Sequence, residues 1–266
     1  MMKFFLFLCM VFMVSAEAAE GDFSLNAALV GYSMDYREYD DNSQILDSEK
    51  SDFTQMIGVD LGMTYTLNAA INDYAQLDVS LLLLAGETDY AGAYLESGGG
   101  YGSVVSRSNN TVMNFDADYL YGLALSKKLY LLGAAAFGYR EWERTLSKDQ
   151  VEVYSWFYVE PKLGLKYLFQ KSSLSGIVGY KYGIDPVMSA TGFQDDFQLA
   201  GANTFNISLK YSYELDLRSE LFFSYVYENQ VIDKSNIVYG SDGKGYLEPD
   251  SEANNQYLKI GALFKY

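Results

Sequence analysis

Asp116 and Asp118 stand two residues apart within residues 113–125. On an extended chain that spacing sets both carboxylates side by side on one face. There they can share a proton or hold a cation. The plainer alternative is an ion-pair network with Lys162, Lys166, Lys181 or Lys210, because charges enclosed in a narrow space need partners. Asp60, Asp78 and Glu160 lie on the polar faces of their own segments and complete the expected set of enclosed charges. The chain contains no histidine, which removes the base of an Asp-His or Ser-His couple. The glycine-rich residues 97–102 are followed by no Lys-Ser/Thr, so they read as a surface loop and not a phosphate cradle. No catalytic residue, cofactor site or metal site is assigned.

The elements that would position these side chains follow from period-two alternation. Odd positions from Phe53 to Leu67 are mainly apolar, while the even positions include Thr54, Asp60, Thr64 and Thr66. The same design recurs over residues 75–85, 113–125, 151–167, 174–184, 205–213 and 221–227, with Asp78, Asp116, Glu160, Lys162, Lys166, Lys181 and Lys210 on the inner faces. None of these apolar faces carries a charge, as expected if they meet lipid, where a mid-membrane Lys or Arg costs roughly 2–4 kcal/mol. Residues 23–36 give a first strand. Residues 129–144 give another whose parity is open, because both of its faces are apolar up to Arg140. Leu258, Ile260, Ala262, Phe264 and Tyr266 share one side of the last segment, with Lys259 and Lys265 on the other.

These segments predict an all-β, antiparallel transmembrane β-barrel of ten strands, with eight and twelve as the alternatives. Short connections fall near residues 68–73, 126–128, 169–173 and 215–220. Longer ones are expected at 38–52, 87–111, 185–203 and 229–256, the arrangement of periplasmic turns and extracellular loops. Tyr65, Tyr167, Tyr213 and Tyr266 fall at the turn ends and belong to one aromatic girdle. The composition agrees: 25 Tyr and 16 Phe suit strands and interfaces, while only 3 Pro leaves ladders uninterrupted.

Residues 1–18 carry Lys3, an apolar run over 4–14 and the small-residue pattern Ala16-Glu17-Ala18, the layout of a secretory signal peptide. The expected organisation is a signal peptide at 1–18 and a barrel domain at 19–266. Cys9, the sole cysteine, falls in the first part, so no disulfide holds the second. A net charge of −16 argues against nucleic acid. The acidic stretches at residues 40–41, 47–52 and 248–252 are expected to form a solvated surface, with divalent-cation binding as the alternative.

The last strand resembles the C-terminal assembly signal of bacterial outer-membrane β-barrel proteins. That resemblance implies residence in the outer membrane of a Gram-negative cell, contact with its lipid and lipopolysaccharide, and delivery to the barrel-assembly machinery through Leu258, Ile260, Ala262, Phe264 and Tyr266. In strand count and architecture the chain is also similar to the omptin outer-membrane proteases, whose Asp-His couple has no counterpart here. Three functions are therefore expected in this order: a non-enzymatic surface role in binding, adhesion or membrane structure; a small passive channel; and a hydrolase built on Asp116 and Asp118.

Overall fold

A computed structural model describes residues 21–68, 73–93 and 100–266. The leader reading at 1–18 and the first half of the glycine-rich run, residues 97–99, lie outside them. The chain forms β1 (Gly21–Tyr39), β2 (Ile45–Asn68), β3 (Tyr74–Gly92), β4 (Val104–Ala124), β5 (Leu129–Ser147) and β6 (Gln150–Leu168). It continues through β7 (Ser172–Ala190), β8 (Phe197–Glu214), β9 (Ser219–Ser235), the short pair β10 (Val238–Tyr239) and β11 (Gly245–Tyr246), and β12 (Asp250–Lys265). Ten strands close into a barrel in the order β1-β12-β9-β8-β7-β6-β5-β4-β3-β2, every neighbour antiparallel. β10 and β11 form a separate hairpin. The last strand closes the ring on the first from Ser24↔Lys265 to Tyr39↔Asp250, so the barrel sheet has no open edge.

Alternation turns this ladder into two surfaces. Leu29, Ile57, Leu163, Ile207 and Ile260 are exposed on the outside. The inward residues beside them are mixed: Lys162, Asn206, Ser208 and Lys259 are polar, whereas Ala28, Val30 and Met56 are buried apolar side chains. β5 resolves its own parity: Phe137 lies outside, stacked on Phe157 with ring centroids 5.6 Å apart, while Leu132, Ala136, Arg140, Trp142 and Arg144 are buried inside. At the turn end, Phe23 meets Tyr266 at 6.2 Å and Tyr167 meets Phe169 at 4.8 Å, two contacts within an aromatic rim.

The expected long loops are a correction. β3 and β4 stay paired as far as Gly92↔Val104, β1 runs to Tyr39, and β8 begins at Phe197. Strands of 16 to 24 residues thus far exceed the roughly 9–11 that cross a membrane. Hydrogen bonding continues beyond the apolar belt while the outward positions turn polar, as in the Arg37–Asp35 pair at 3.1 Å and the Arg107–Glu87 pair at 2.9 Å. Alternation then disappears from the sequence although the strand persists.

Two interruptions also differ from simple alternation. In β2, Met34 pairs with Ser51 and Tyr32 with Met56, so residues 52–55 bulge out. The Asp52 carboxylate accepts from the amides of Thr54 at 2.7 Å and Gln55 at 3.1 Å. A side chain at Gly31 would sit 2.8 Å from the Phe53 carbonyl oxygen, which accounts for glycine there. In β7, Asp185 adopts φ 48° and pairing with β8 lapses between Tyr182 and Val187. Asp185, which shares the inward parity of Lys181 in the continuation of the segment 174–184, is therefore exposed instead.

The two faces of β3 give a direct test. Leu81→Arg puts a charge on the apolar belt and should lower folding stability in lipid by roughly 2–4 kcal/mol. Ser80→Arg points into the charged lumen and should be tolerated. Heat-modifiable migration and urea unfolding in vesicles measure both, and equal tolerance would refute the assignment of the two faces.

Candidate functional site

The lumen is divided along its axis into a charged lower part toward the turns and a sealed upper part. The lower part holds a cavity of about 240 Å³ lined by Asp60, Asp78, Asp116, Asp118, Glu160, Lys162 and Lys181 among others. Asp60 pairs with Lys259 at 2.6 Å, and Lys181 with Glu228 at 2.7 Å. Asp118 pairs with Lys162, which also lies 3.4 Å from Glu160. Asp116 accepts from the Tyr158 hydroxyl at 2.6 Å and Asp78 from the Thr64 hydroxyl. Asp116 and Asp118 are thus tied to different partners and share no proton with each other. Lys166 and Lys210 stand apart from this network. Their ammonium groups rest on the rings of Tyr74 and Phe222, 5.4 and 4.5 Å from the centroids, and neither has an ion pair among the described residues. A second cavity, of about 220 Å³, adjoins Lys166, Tyr74 and Tyr130.

Small residues on intervening strands make the cross-strand contacts. Gly138 of β5 is paired with both Asp116 of β4 and Tyr158 of β6. A Cβ there would lie 2.3 Å from the Tyr158 ring. Ala136 occupies the same position between Asp118 and Glu160, and the Lys162 ammonium reaches past that strand. Gly179 lies beneath the bond from Asn206 to Glu160, 2.6 Å long, where a Cβ would meet the Glu160 carboxylate at 2.4 Å. β5 looks featureless in sequence because its small inward residues leave room for the neighbours' polar groups.

Above the cavity the lumen is filled. Tyr32, Tyr36, Met56, Trp142, Tyr154 and Tyr158 are buried inside the ring. Arg140 donates to Asn114 at 3.2 Å and to Tyr257 at 3.3 Å, tying β5 to β12 on the opposite wall. Higher still, Arg144 has 0% exposure and four carboxylate partners: Glu38 at 2.7 Å, Glu49 at 2.8 Å, Glu152 at 3.0 Å and Asp47 at 3.3 Å. Its guanidinium also lies over the rings of Tyr36 and Trp142. Glu49 further accepts from Ser108 and Asn110, both at 2.8 Å, and Asn110 accepts from the Trp142 indole at 2.7 Å. Sequence reasoning missed this cluster and expected residues 47–52 and 248–252 on a solvated surface, whereas Asp47, Glu49 and Glu248 are buried in the lumen because Arg144 and Tyr154 draw their carboxylates inward. Arg144 and Glu38 alone lie 106 positions apart, and several members occupy strand extensions that read as loops. The usable signal was Arg144 itself, a charge at an inward position once the parity of β5 is known.

Glu248, in the segment between β11 and β12, closes the top. It accepts from the Tyr154 hydroxyl beside Glu38 and Glu152. Burial, then the like charges of Glu38 and Glu152, push its carboxyl well above the usual range against the smaller opposing effects of the Tyr154 bond and Arg144. Among the described residues, no three His, Cys, Asp or Glu side chains are grouped to hold a metal ion.

No family model matches the chain, and no curated protein sequence matches it. Solved structures do. The outer membrane protease OmpT from Escherichia coli superposes with a TM-score of 0.52 at 9% identity, covering 95% of this chain and 100% of that one. The translocator domain of the autotransporter NalP from Neisseria meningitidis gives 0.44 at 12% identity, covering 97% and 93%. The outer membrane protein OprG from Pseudomonas aeruginosa gives 0.42 at 12%, covering 92% and 96%. The likeness to OmpT establishes the fold as that of a bacterial outer-membrane β-barrel; at this identity it extends to the fold alone.

Two measurements probe the site. Gly138→Ala should displace the Tyr158 ring from Asp116 and cost about 1–3 kcal/mol by overpacking. Gly133→Ala, which meets nothing within 4 Å, should cost far less; equal unfolding midpoints would refute the role of Gly138. A carboxyl whose folded-state pKa is raised contributes stability at acid pH that is lost as pH rises through that value. Residues 236–249 should therefore become more protease-sensitive as pH rises, and Glu248→Gln should flatten that dependence. Unchanged pH dependence in the variant would exclude Glu248 as its source.

Proposed function

We propose that this chain is an integral outer-membrane β-barrel of a Gram-negative cell whose lumen does not conduct, and that it acts without catalysis at the cell surface. The observation that carries this reading is the fully buried Arg144, held by four carboxylates and bracketed by Tyr36, Trp142 and Tyr154 across the lumen. A solute would have to displace an ion-paired plug whose unpaired members are costly to leave buried. The apolar belt fits lipid, and the polar strand extensions above it fit the lipopolysaccharide layer and extracellular solvent. Their outer wall and the β10–β11 hairpin supply the surface for binding or adhesion. Leu258, Ile260, Ala262, Phe264 and Tyr266 serve as the signal to the assembly machinery, and the acidic rim is available to divalent cations of the lipopolysaccharide layer.

A passive channel is the second reading, supported by the acidic and basic walls of the lower lumen. The hydrolase reading has weaker support, because Asp116 and Asp118 are already engaged separately by Tyr158 and Lys162. Conductance in planar bilayers separates closed from open. The refolded wild type should show no steady current, and Trp142→Ala combined with Arg144→Ala should open one. Steady wild-type conductance whose ion selectivity shifts with Asp116→Asn would replace the closed barrel with the channel.

A further inference from the structure

The turn end of the barrel repeats one motif on three consecutive hairpins. In the β4–β5 turn Leu125 is followed by Lys127 and Lys128, in the β6–β7 turn Phe169 by Lys171, and in the β8–β9 turn Leu215 by Arg218. Leu125, Phe169 and Leu215 continue the outward parity of the lipid-facing residues of β4, β6 and β8, and are 53%, 50% and 52% exposed. The basic side chains are exposed just beyond them. Backbone hydrogen bonds join the turns into one arc. The amide of Leu168 donates to the Lys128 carbonyl at 2.7 Å, that of Glu214 to Lys171 at 2.8 Å, and that of Lys265 to Arg218 at 2.8 Å. Each of these bases is therefore bonded to the residue that precedes the next outward apolar side chain: Phe169, Leu215 and Tyr266.

The acids of this end are engaged elsewhere. Asp73 accepts from the Tyr121 hydroxyl and the Ala124 amide, both at 2.8 Å. Glu214 and Glu220 each approach Lys265 at 3.9 Å. Asp216 offsets Arg218 within its own turn, where it accepts from the Arg218 amide at 2.8 Å. Lys127, Lys128 and Lys171 carry the remaining positive charge, and none of them has an ion pair among the described residues. The motif is also one-sided, since the β2–β3 connection at 68–73 contains neither Lys nor Arg. In a chain of net charge −16, bases gathered on one side of the rim favour an anionic partner there. An acidic soluble protein would satisfy the lysines and leave the outward Leu125 and Phe169 unmatched. A lipid with an anionic headgroup supplies both halves of the match.

We propose that the β4–β9 arc of the turn end is a docking surface for anionic phospholipid of the leaflet it faces, with the headgroup phosphate drawn to Lys127, Lys128 and Lys171 and the acyl chains against Leu125 and Phe169. The arc requires the barrel to lie in a bilayer and is independent of whether its lumen conducts.

Fluorescence quenching tests this. Trp142 and Trp156 are buried in the lumen, so an indole introduced by Phe169→Trp reports on lipid beside the arc, and one introduced by Phe23→Trp reports on the side of the rim next to the base-free connection. The full barrel is refolded into phosphatidylcholine vesicles containing the same small fraction of either brominated phosphatidylglycerol or brominated phosphatidylcholine. Phosphatidylglycerol should quench the Phe169→Trp barrel with an apparent affinity at least about fivefold above that of phosphatidylcholine. The preference should shrink with added salt, and the Phe23→Trp barrel should show none. Lys127→Gln, Lys128→Gln and Lys171→Gln combined should remove it, while Lys148→Gln at the opposite end should not. Equal quenching by the two lipids, an equal preference in the Phe23→Trp barrel, or a preference that survives the triple substitution overturns the arc. Abolition of the preference by soluble glycerol phosphate would assign the lysines to free phosphate and overturn it likewise. Should the triple variant lose heat-modifiable migration, the contrast between the two reporter positions decides. A wild-type barrel that inserts into no vesicle removes the membrane reading and the arc with it, whereas insertion without lipid preference removes the arc alone.

Discussion

Backbone hydrogen bonding in hydrocarbon is the constraint on which the rest depends. An amide or carbonyl facing lipid without a partner costs several kcal/mol, so a sheet can occupy that medium only if it closes on itself. Here closure is the seam between β1 and β12. Once that register is set, side-chain direction is determined along the regularly paired strands, because a one-residue slip would carry Lys259 or Asp60 into the apolar belt. The lipid face, the lumenal charges and their pairing all follow from that seam.

The same constraint explains what could be read from sequence. Where lipid is present, the outward residue must be apolar and the inward one is free to be polar, so strands such as 53–67 and 205–213 alternate legibly. Above the belt, water accepts either kind of residue on the outside, and the upper halves of β3, β4, β9 and β12 lose their signature while keeping their hydrogen bonds. β5 was ambiguous for a different reason: Ala134, Ala136 and Gly138 face inward but are small, because they lie beneath groups reaching across from β4 and β6. Single-strand patterns report the solvent on each side of a residue; they do not report a neighbour's side chain passing over it. The inner positions of Asp60, Asp78, Asp116, Asp118, Glu160 and the lysines were accessible to parity. Their division into paired and unpaired groups was not, because it depends on lateral register among strands far apart in sequence.

The Arg144 cluster serves specificity more than raw stability. Replacing a buried ion pair with well-packed apolar groups is often neutral or better, whereas removing one member leaves an uncompensated charge at a cost of roughly 3–5 kcal/mol. Such a cluster penalises alternatives strongly while contributing little net stabilisation. Arg144 reaches Glu38 of β1, Glu49 of β2 and Glu152 of β6 at once, so it is satisfied only when walls distant in the ring stand at the correct separation. A slipped register or an altered strand number would strand the guanidinium in a ring of aromatic side chains.

The two halves of the lumen therefore treat charge in opposite ways. The upper half brings an arginine into direct contact with excess carboxylates and excludes solvent with tyrosine and tryptophan. The lower half leaves open space, with Asp60, Asp78, Asp116, Asp118, Lys162 and Lys259 lining one cavity and Lys166 adjoining another. If the interior served only to fill space, the solution used above would serve below as well, since a ten-stranded ring is narrow enough to be packed solid by side chains. Gly179 is a small lumenal residue lying against Glu160 and Asn206, which line this open region. Larger side chains there would narrow it, which gives the cavity, like the plug, a basis in the residues that line it.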